Sequence, residues 1–173
     1  MTLKDPKFRT AFLPETGDAR AFFHEWLKDG GGKGDDFASF FHIEKSFWEV
    51  RSEASVLLVH YLDLMKDRAS EMRRIAKFLG ISISESLWPE LVEAASLDAM
   101  RAQGKEIIPQ AHEAWQGGAA GFLQKGRIGG WREVLARQDL ERYDTMVREQ
   151  FSPELARWVE QGRLVAGDPE RTR

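Results

Sequence analysis

No cysteine occurs among the 173 residues of the chain. That absence excludes a disulfide framework, a thiolate metal site and a cysteine nucleophile. Charge of one sign is not in excess either: 25 Lys and Arg stand against 28 Asp and Glu, a net charge of −3. Such a balance exerts no overall pull toward nucleic acid or anionic lipid, so no nucleic-acid partner is expected. Long hydrophobic runs are missing too. A membrane helix needs about 20 successive apolar residues, whereas the best run here is Val56-Leu57-Leu58-Val59, so no membrane span is expected. The opening Met1-Thr2-Leu3-Lys4-Asp5-Pro6 lacks the apolar stretch of a secretory signal, and the expected compartment is the cytoplasm. What the chain does have is 42% apolar and 31% charged residues, ordinary globular values that exclude a disordered or collagen-like chain. At this length a chain buries roughly 70% of the surface its unfolded form exposes, and a single domain is expected.

Periodicity divides the chain into short elements. Residues 1–18 hold Pro6, Pro14 and Gly17 and read as an irregular lead-in. Phe22, Phe23, Trp26 and Leu27 follow helical spacing over Ala19 to Lys28, and the run stops at Gly30-Gly31-Gly32. A second helix is expected from about Phe37 to Arg51, with Phe40, Ile43, Phe47 and Val50 on its apolar face and Phe41 and Trp48 widening it. Val56-Leu57-Leu58-Val59-His60-Tyr61 is short, β-rich and apolar without alternation, which predicts a strand covered on both faces. Asp67 is placed to cap a following helix that carries Met72, Ile75, Ala76 and Leu79 and ends at Gly80. Helices are expected again at Pro89–Ala95, Ser96–Ala102, Trp131–Ala136, Gln138–Gln150 and, after a Ser152 cap, Pro153–Gln161. Residues 103–130 show little periodicity and read as a long loop; the last residues, from Gly167, read as a frayed tail.

The long loop holds the most suggestive chemistry. Seven of the protein's 15 glycines lie between Gly104 and Gly130. From Arg101 to Arg132 five cations face two carboxylates, a local +3 in a chain of −3. Lys125-Gly126-Arg127-Ile128-Gly129-Gly130-Trp131 sets two cations among glycines ahead of a helix. Bare backbone N–H groups beside cationic side chains make an anion site, typically for phosphate; the alternative is a solvated loop with scattered charge. Gly30-Gly31-Gly32-Lys33-Gly34 is read as a linker, because a phosphate-binding loop needs Ser or Thr after its Lys and a strand before it. His24, His42, His60 and His112 have no ligand spacing, and no metal is expected. His60 reads as a packed histidine. Tyr61 and Asp63 stand where the predicted strand ends, the side of an α/β sheet at which ligands gather, although Asp63 also suits a turn or cap.

Six elements in order together resemble the C-terminal half of the sulfotransferase family that uses 3′-phosphoadenosine 5′-phosphosulfate (PAPS). Phe47-Trp48-Glu49-Val50-Arg51 is similar to that family's Trp-Trp-Glu-x-Arg helix. Val56 to Asp67 resembles its strand followed by Tyr-Glu-Asp-Leu, and Glu71 to Gly80 its next helix. Ser96-Leu97-Asp98-Ala99-Met100 resembles the Ser-Phe-x-x-Met element. Phe122 to Trp131 resembles the Arg-Lys-Gly-x-x-Gly-x-Trp signature, and Ser152 to Trp158 the tail of bacterial members. The order and spacing are more specific than any one element.

The resemblance implies a P-loop-NTPase-like sulfotransferase fold of the α/β class, truncated here and so mostly helical with one or few parallel strands. It implies one partial domain over residues 1–168 with a tail at 169–173, and transfer of a sulfuryl group from PAPS to a hydroxyl or amine of a small-molecule acceptor. Lys125 and Gly126, with Arg127 beside them, would hold the nucleotide 3′-phosphate, Tyr61 would lie beside the adenine, and Ser96 on the adenine side. Gln124 stands where many members have Arg, Leu62 where they have Glu, and Ala95 where they have Thr or Cys. The family's Pro-Lys-Ser/Thr-Gly-Thr loop and catalytic His have no match in the sequence, which leaves the base unassigned. The family's dimer motif has no match after Trp131 either. A noncatalytic nucleotide- or protein-binding module is therefore a second reading, and an uncovered sheet face would favour self-association into a homo-oligomer.

Overall fold

The computed structural model describes residues 18–31, 39–109, 118–123 and 128–169. In chain order the helices are α1 (Ala19–Lys28), α2 (Phe40–Glu49), α3 (Tyr61–Lys66), α4 (Arg68–Phe78), α5 (Trp88–Ala94), α6 (Leu97–Ala102), α7 (Gly104–Ile107), α8 (Gly118–Phe122), α9 (Arg137–Gln150), α10 (Pro153–Gln161) and α11 (Arg163–Ala166). Short 3-10 turns occupy Glu85–Leu87 and Gly130–Glu133. The chain divides into two compact units: residues 24–84 with 136–173, and residues 1–23 with 85–135.

In the first of these units Phe41, Val147, Phe151 and Leu155 form the buried core, with Trp26, Phe40, Trp48 and Tyr143 packed around them. The rings of Phe41 and Phe151 lie 5.0 Å apart and those of Phe40 and Phe41 5.2 Å, in tilted and edge-on arrangements that suit the aromatic quadrupole. The turn after α1 is part of this core. Gly31 adopts φ +91°, and a Cβ there would run into the Phe41 ring, so only glycine brings the turn against α2. The sequence placed Ile43 and Val50 on the apolar face of α2. In the structure both are exposed, and Phe41 is the residue that faces the core.

Helix ends follow local chemistry. The Asp67 carboxylate accepts the Ser70 N–H at 3.1 Å and starts α4, and the Ser152 hydroxyl accepts the Leu155 N–H at 3.2 Å and starts α10. At Gly80 (φ +69°) the Ile81 N–H closes back on the Ala76 carbonyl at 2.9 Å and α4 stops.

The predicted strand is corrected. Residues 56–60 form no strand, no strand occurs among the described residues, and Tyr61 opens a helix instead. A strand exists only through a ladder partner, and among the described residues the N–H groups of Leu57, Leu58, Val59 and His60 have none. The expected long loop is corrected as well: residues 103–130 contain α7 and α8, and the helix expected at Trp131–Ala136 is the 3-10 turn Gly130–Glu133. Within the second unit α7 and α8 meet because Gly104 has no side chain; a Cβ there would collide with the Ala119 methyl. The irregular lead-in up to residue 17, Gly32 to Gly34, and residues 170–173 of the expected tail lie outside the described residues.

Candidate functional site

Tyr61 stands at the first turn of α3, and the residues on either side of it are fixed from far along the chain. His60, extended at φ −105° and ψ 135°, caps the helix: its Nδ1 accepts the Leu62 N–H at 3.1 Å. That leaves Nε2 as the protonated nitrogen, and it donates to the Val159 carbonyl at 2.8 Å. The imidazole also stands edge-on to the Trp158 ring, with centroids 5.4 Å apart. Asp63 is buried at 1% exposure, and its two oxygens accept the backbone N–H groups of Arg163 at 2.7 Å and Leu164 at 3.1 Å. The capping role that the sequence allowed for Asp63 is thus real, but the helix it caps is α11, a hundred residues on.

Glu71, wholly buried, completes this clasp. Arg74 donates to it through Nε at 3.1 Å and Nη2 at 2.8 Å, and Arg163 donates through Nε at 3.2 Å and through Nη2. Arg74 also reaches the Leu58 carbonyl at 2.7 Å and so holds the extended segment. Burial alone would raise the Glu71 carboxyl, but the hydrogen bonds from Arg74 and Arg163 outweigh it and hold the group below the usual carboxylate range. The same contacts push the Arg163 guanidinium further up.

Beside the extended segment lies a cavity of about 500 Å³, walled by Phe47, Trp48, Leu57, Val59 and Trp158 and reached by Glu44, His60 and Tyr143. Burial raises the Glu44 carboxyl, opposed by the nearby His60, and pushes the Tyr143 phenol up to about 12. The hollow therefore favours uncharged forms and apolar contact. The Tyr61 side chain is 57% exposed and borders it. Arg51 lies over the Trp48 ring at 4.4 Å, which accounts for the Trp-x-x-Arg spacing as a stacked pair.

Of the other expected site residues, Ser96 belongs to the second unit, where its hydroxyl caps α6 by accepting the Ala99 N–H at 3.0 Å and contacts Glu93 at 3.3 Å. Lys125, Gly126 and Arg127 lie outside the described residues, as does Gln124. Just beyond them Gly129 turns at φ +84°, and Arg132 stacks over Trp131 at 4.3 Å. The donor set fits a nucleotide phosphate in kind: two cations among glycines, with an exposed phenol ring elsewhere in the chain suited to stacking on a base. Sequence reading did not single out Glu71 or Arg163. The spacing of Glu71 and Arg74 on one helix face was a visible signal; the pairing of Glu71 with Arg163, 92 residues away, had none. Among the described residues no group of three or more acidic or histidine side chains could hold a metal ion, and no helix is long and apolar enough to cross a membrane.

The fold and sequence have relatives. Residues 9–154 match the model of the sulfotransferase domain. A glycolipid sulfotransferase of Mycobacterium bovis is 30% identical over 126 residues, covering 73% of this chain and 38% of the relative. Cytosolic sulfotransferase 1 of Danio rerio is 28% identical over 139 residues, covering 80% of this chain and 45% of that protein. The chain thus spans less than half the length of these relatives. Among solved structures, a mouse sulfotransferase complexed with PAP superposes with a TM-score of 0.70 at 19% identity, covering 91% of this chain and 54% of that one. Retinol dehydratase in complex with androsterone and inactive cofactor PAP gives 0.67 at 22% identity, covering 85% and 43%. A domain match running over most of the sequence, with two neighbours sharing its fold, makes this chain a member of the sulfotransferase family.

Proposed function

We propose that the chain supplies the nucleotide 3′-phosphate-binding part of a PAPS-dependent sulfotransferase acting on a hydroxyl or amine of a small-molecule acceptor. In that reaction the bond between sulfur and the phosphate oxygen of PAPS breaks, a bond from sulfur to the acceptor oxygen or nitrogen forms, and the acceptor's proton passes to a base. Adenosine 3′,5′-bisphosphate (PAP) leaves. The observation that carries the reading is the sulfotransferase domain match over residues 9–154, which includes the basic glycine segment 125–130. Within one domain spanning residues 1–168, Lys125 and the Gly126 backbone hold the 3′-phosphate, with Arg127 adding a second cation. Tyr61 lies against the adenine face, and Ser96 sits on the adenine side. A phosphate gripped by cations and backbone N–H groups gains charge-assisted hydrogen bonds, each stronger than a neutral pair. The compartment we propose is the cytoplasm.

The test is selectivity for the phosphate that these residues would hold. Wild-type chain is expected to bind PAP more tightly than adenosine 5′-phosphate, and Lys125→Ala to remove most of that preference, about tenfold for one charge-assisted contact. Equal affinity for the two nucleotides in the wild type would refute the assignment of the basic segment. Nucleotide binding with no transfer to any acceptor would point instead to the noncatalytic module.

A further inference from the structure

Resting on that reading of Tyr61, the geometry points to a device for aiming its ring: we infer that His60 and Asp63 are positioning residues for Tyr61, braced by the chain segment from Val159 to Leu164. The helix that carries Tyr61 has six residues, Tyr61–Lys66. A helix this short does not hold its shape alone, because nucleation outweighs the few hydrogen bonds it closes. Among the described residues the Tyr61 side chain itself makes no hydrogen bond, and it is 57% exposed. The direction of the ring is therefore set by the backbone on either side of it.

That backbone is tied at both ends to one stretch of chain. One residue before Tyr61, His60 Nε2 donates to the Val159 carbonyl at 2.8 Å while Nδ1 holds the first turn through Leu62. Two residues after it, Asp63 grips the N–H groups of Arg163 and Leu164. The Arg163 side chain is in turn fixed by Glu71, which Arg74 also holds. Gly162 makes the approach possible: it adopts φ +74° and ψ 175°, and a Cβ there would lie 2.7 to 2.9 Å from the Asp63 carboxylate. Every charge in this clasp is matched by a protein partner, so the cluster serves geometry rather than ligand binding.

Only two tyrosines occur in the chain, so incorporation of 3-fluorotyrosine gives two fluorine resonances, assigned with Tyr143→Phe. His60→Asn keeps an acceptor for the Leu62 N–H but cannot reach Val159, and Asp63→Asn removes the charge that holds Arg163 and Leu164. In both variants the Tyr61 resonance is expected to shift and broaden, and by more than the resonance of Tyr143, which shares the cavity with His60. PAP affinity is expected to fall about tenfold in each, the scale of one base–aromatic contact. Because the two residues act through Tyr61, neither substitution lowers affinity further in a Tyr61→Ala background. Should Asp63→Asn fail to fold, His60→Asn, which retains its cap, carries the test. An unchanged Tyr61 resonance in a folded variant overturns the inference, as does full additivity with Tyr61→Ala. If the wild type binds no PAP, the nucleotide reading fails, and the fluorine spectrum still decides whether the two residues orient Tyr61.

Discussion

Glu71 is wholly buried and charged, which a lone carboxylate could not sustain; it stays ionised because two guanidinium groups converge on it. Removing the charge leaves Arg163 and Arg74 facing a neutral amide. Glu71→Gln is therefore expected to lower unfolding free energy by about 2–3 kcal/mol, below the full cost of a broken buried pair because both arginines keep some solvent contact. The pH dependence has a definite sign. The folded state holds this carboxyl below its ordinary 4.5, so the stabilisation is complete above that value and drains away as pH falls through the folded pKa. Denaturant titrations from pH 7 to pH 3 check this, because Glu71→Gln should lose less stability than the wild type over that range. Glu44 behaves oppositely: burial raises it, so the folded state binds its proton more readily and stability falls as pH rises past 4.5. Glu44→Gln should melt higher than the wild type at pH 7, with the gain vanishing in acid. Gly162 combines a backbone region open essentially to glycine alone with a side-chain path blocked by Asp63. Gly162→Ala should cost about 2–3 kcal/mol by chemical denaturation. Apart from the Glu71–Arg74 spacing and the capping role open to Asp63, these roles could not be read from the sequence, because the partners of Asp63, Glu71 and Gly162 come from across the chain.

Elements show where local reading succeeds. The starts of α4 and α10 at Asp67 and Ser152 were legible because a cap needs only the next three residues, whereas Ser96, read as the first residue of its helix, is the cap of α6. Gly80 was legible as a stop for the same reason. Val56 to His60 was not. Its composition is that of a buried strand, but a strand is completed by a neighbour that the apolar run itself does not specify. The segment is held instead by side chains: Arg74 donates to the Leu58 carbonyl, and His60 donates to the Val159 carbonyl. Hydrogen exchange separates the two descriptions. The amides of Leu57, Leu58 and Val59 are expected to exchange far faster than those of Val147 and Phe151, which lie in or close the end of a long helix over the core. Comparable protection at all five would show that the segment is paired in solution.

At the scale of the whole molecule, the family was legible before any coordinates, because six short elements kept the order and spacing found in sulfotransferases, and the domain match across residues 9–154 agrees. The site was legible only in part. The basic glycine segment suggests an anion partner by composition and Tyr61 is picked out by motif, and both belong to the proposal; the contacts on either side of Tyr61 depend on the fold of residues 159–164 and left no local trace. The most direct measurement is calorimetric titration of the folded chain with PAP beside Lys125→Ala. Saturable heat in the wild type, with affinity about tenfold weaker in the variant, is the predicted result. No heat at millimolar PAP from a chain shown to be folded by circular dichroism would contradict it.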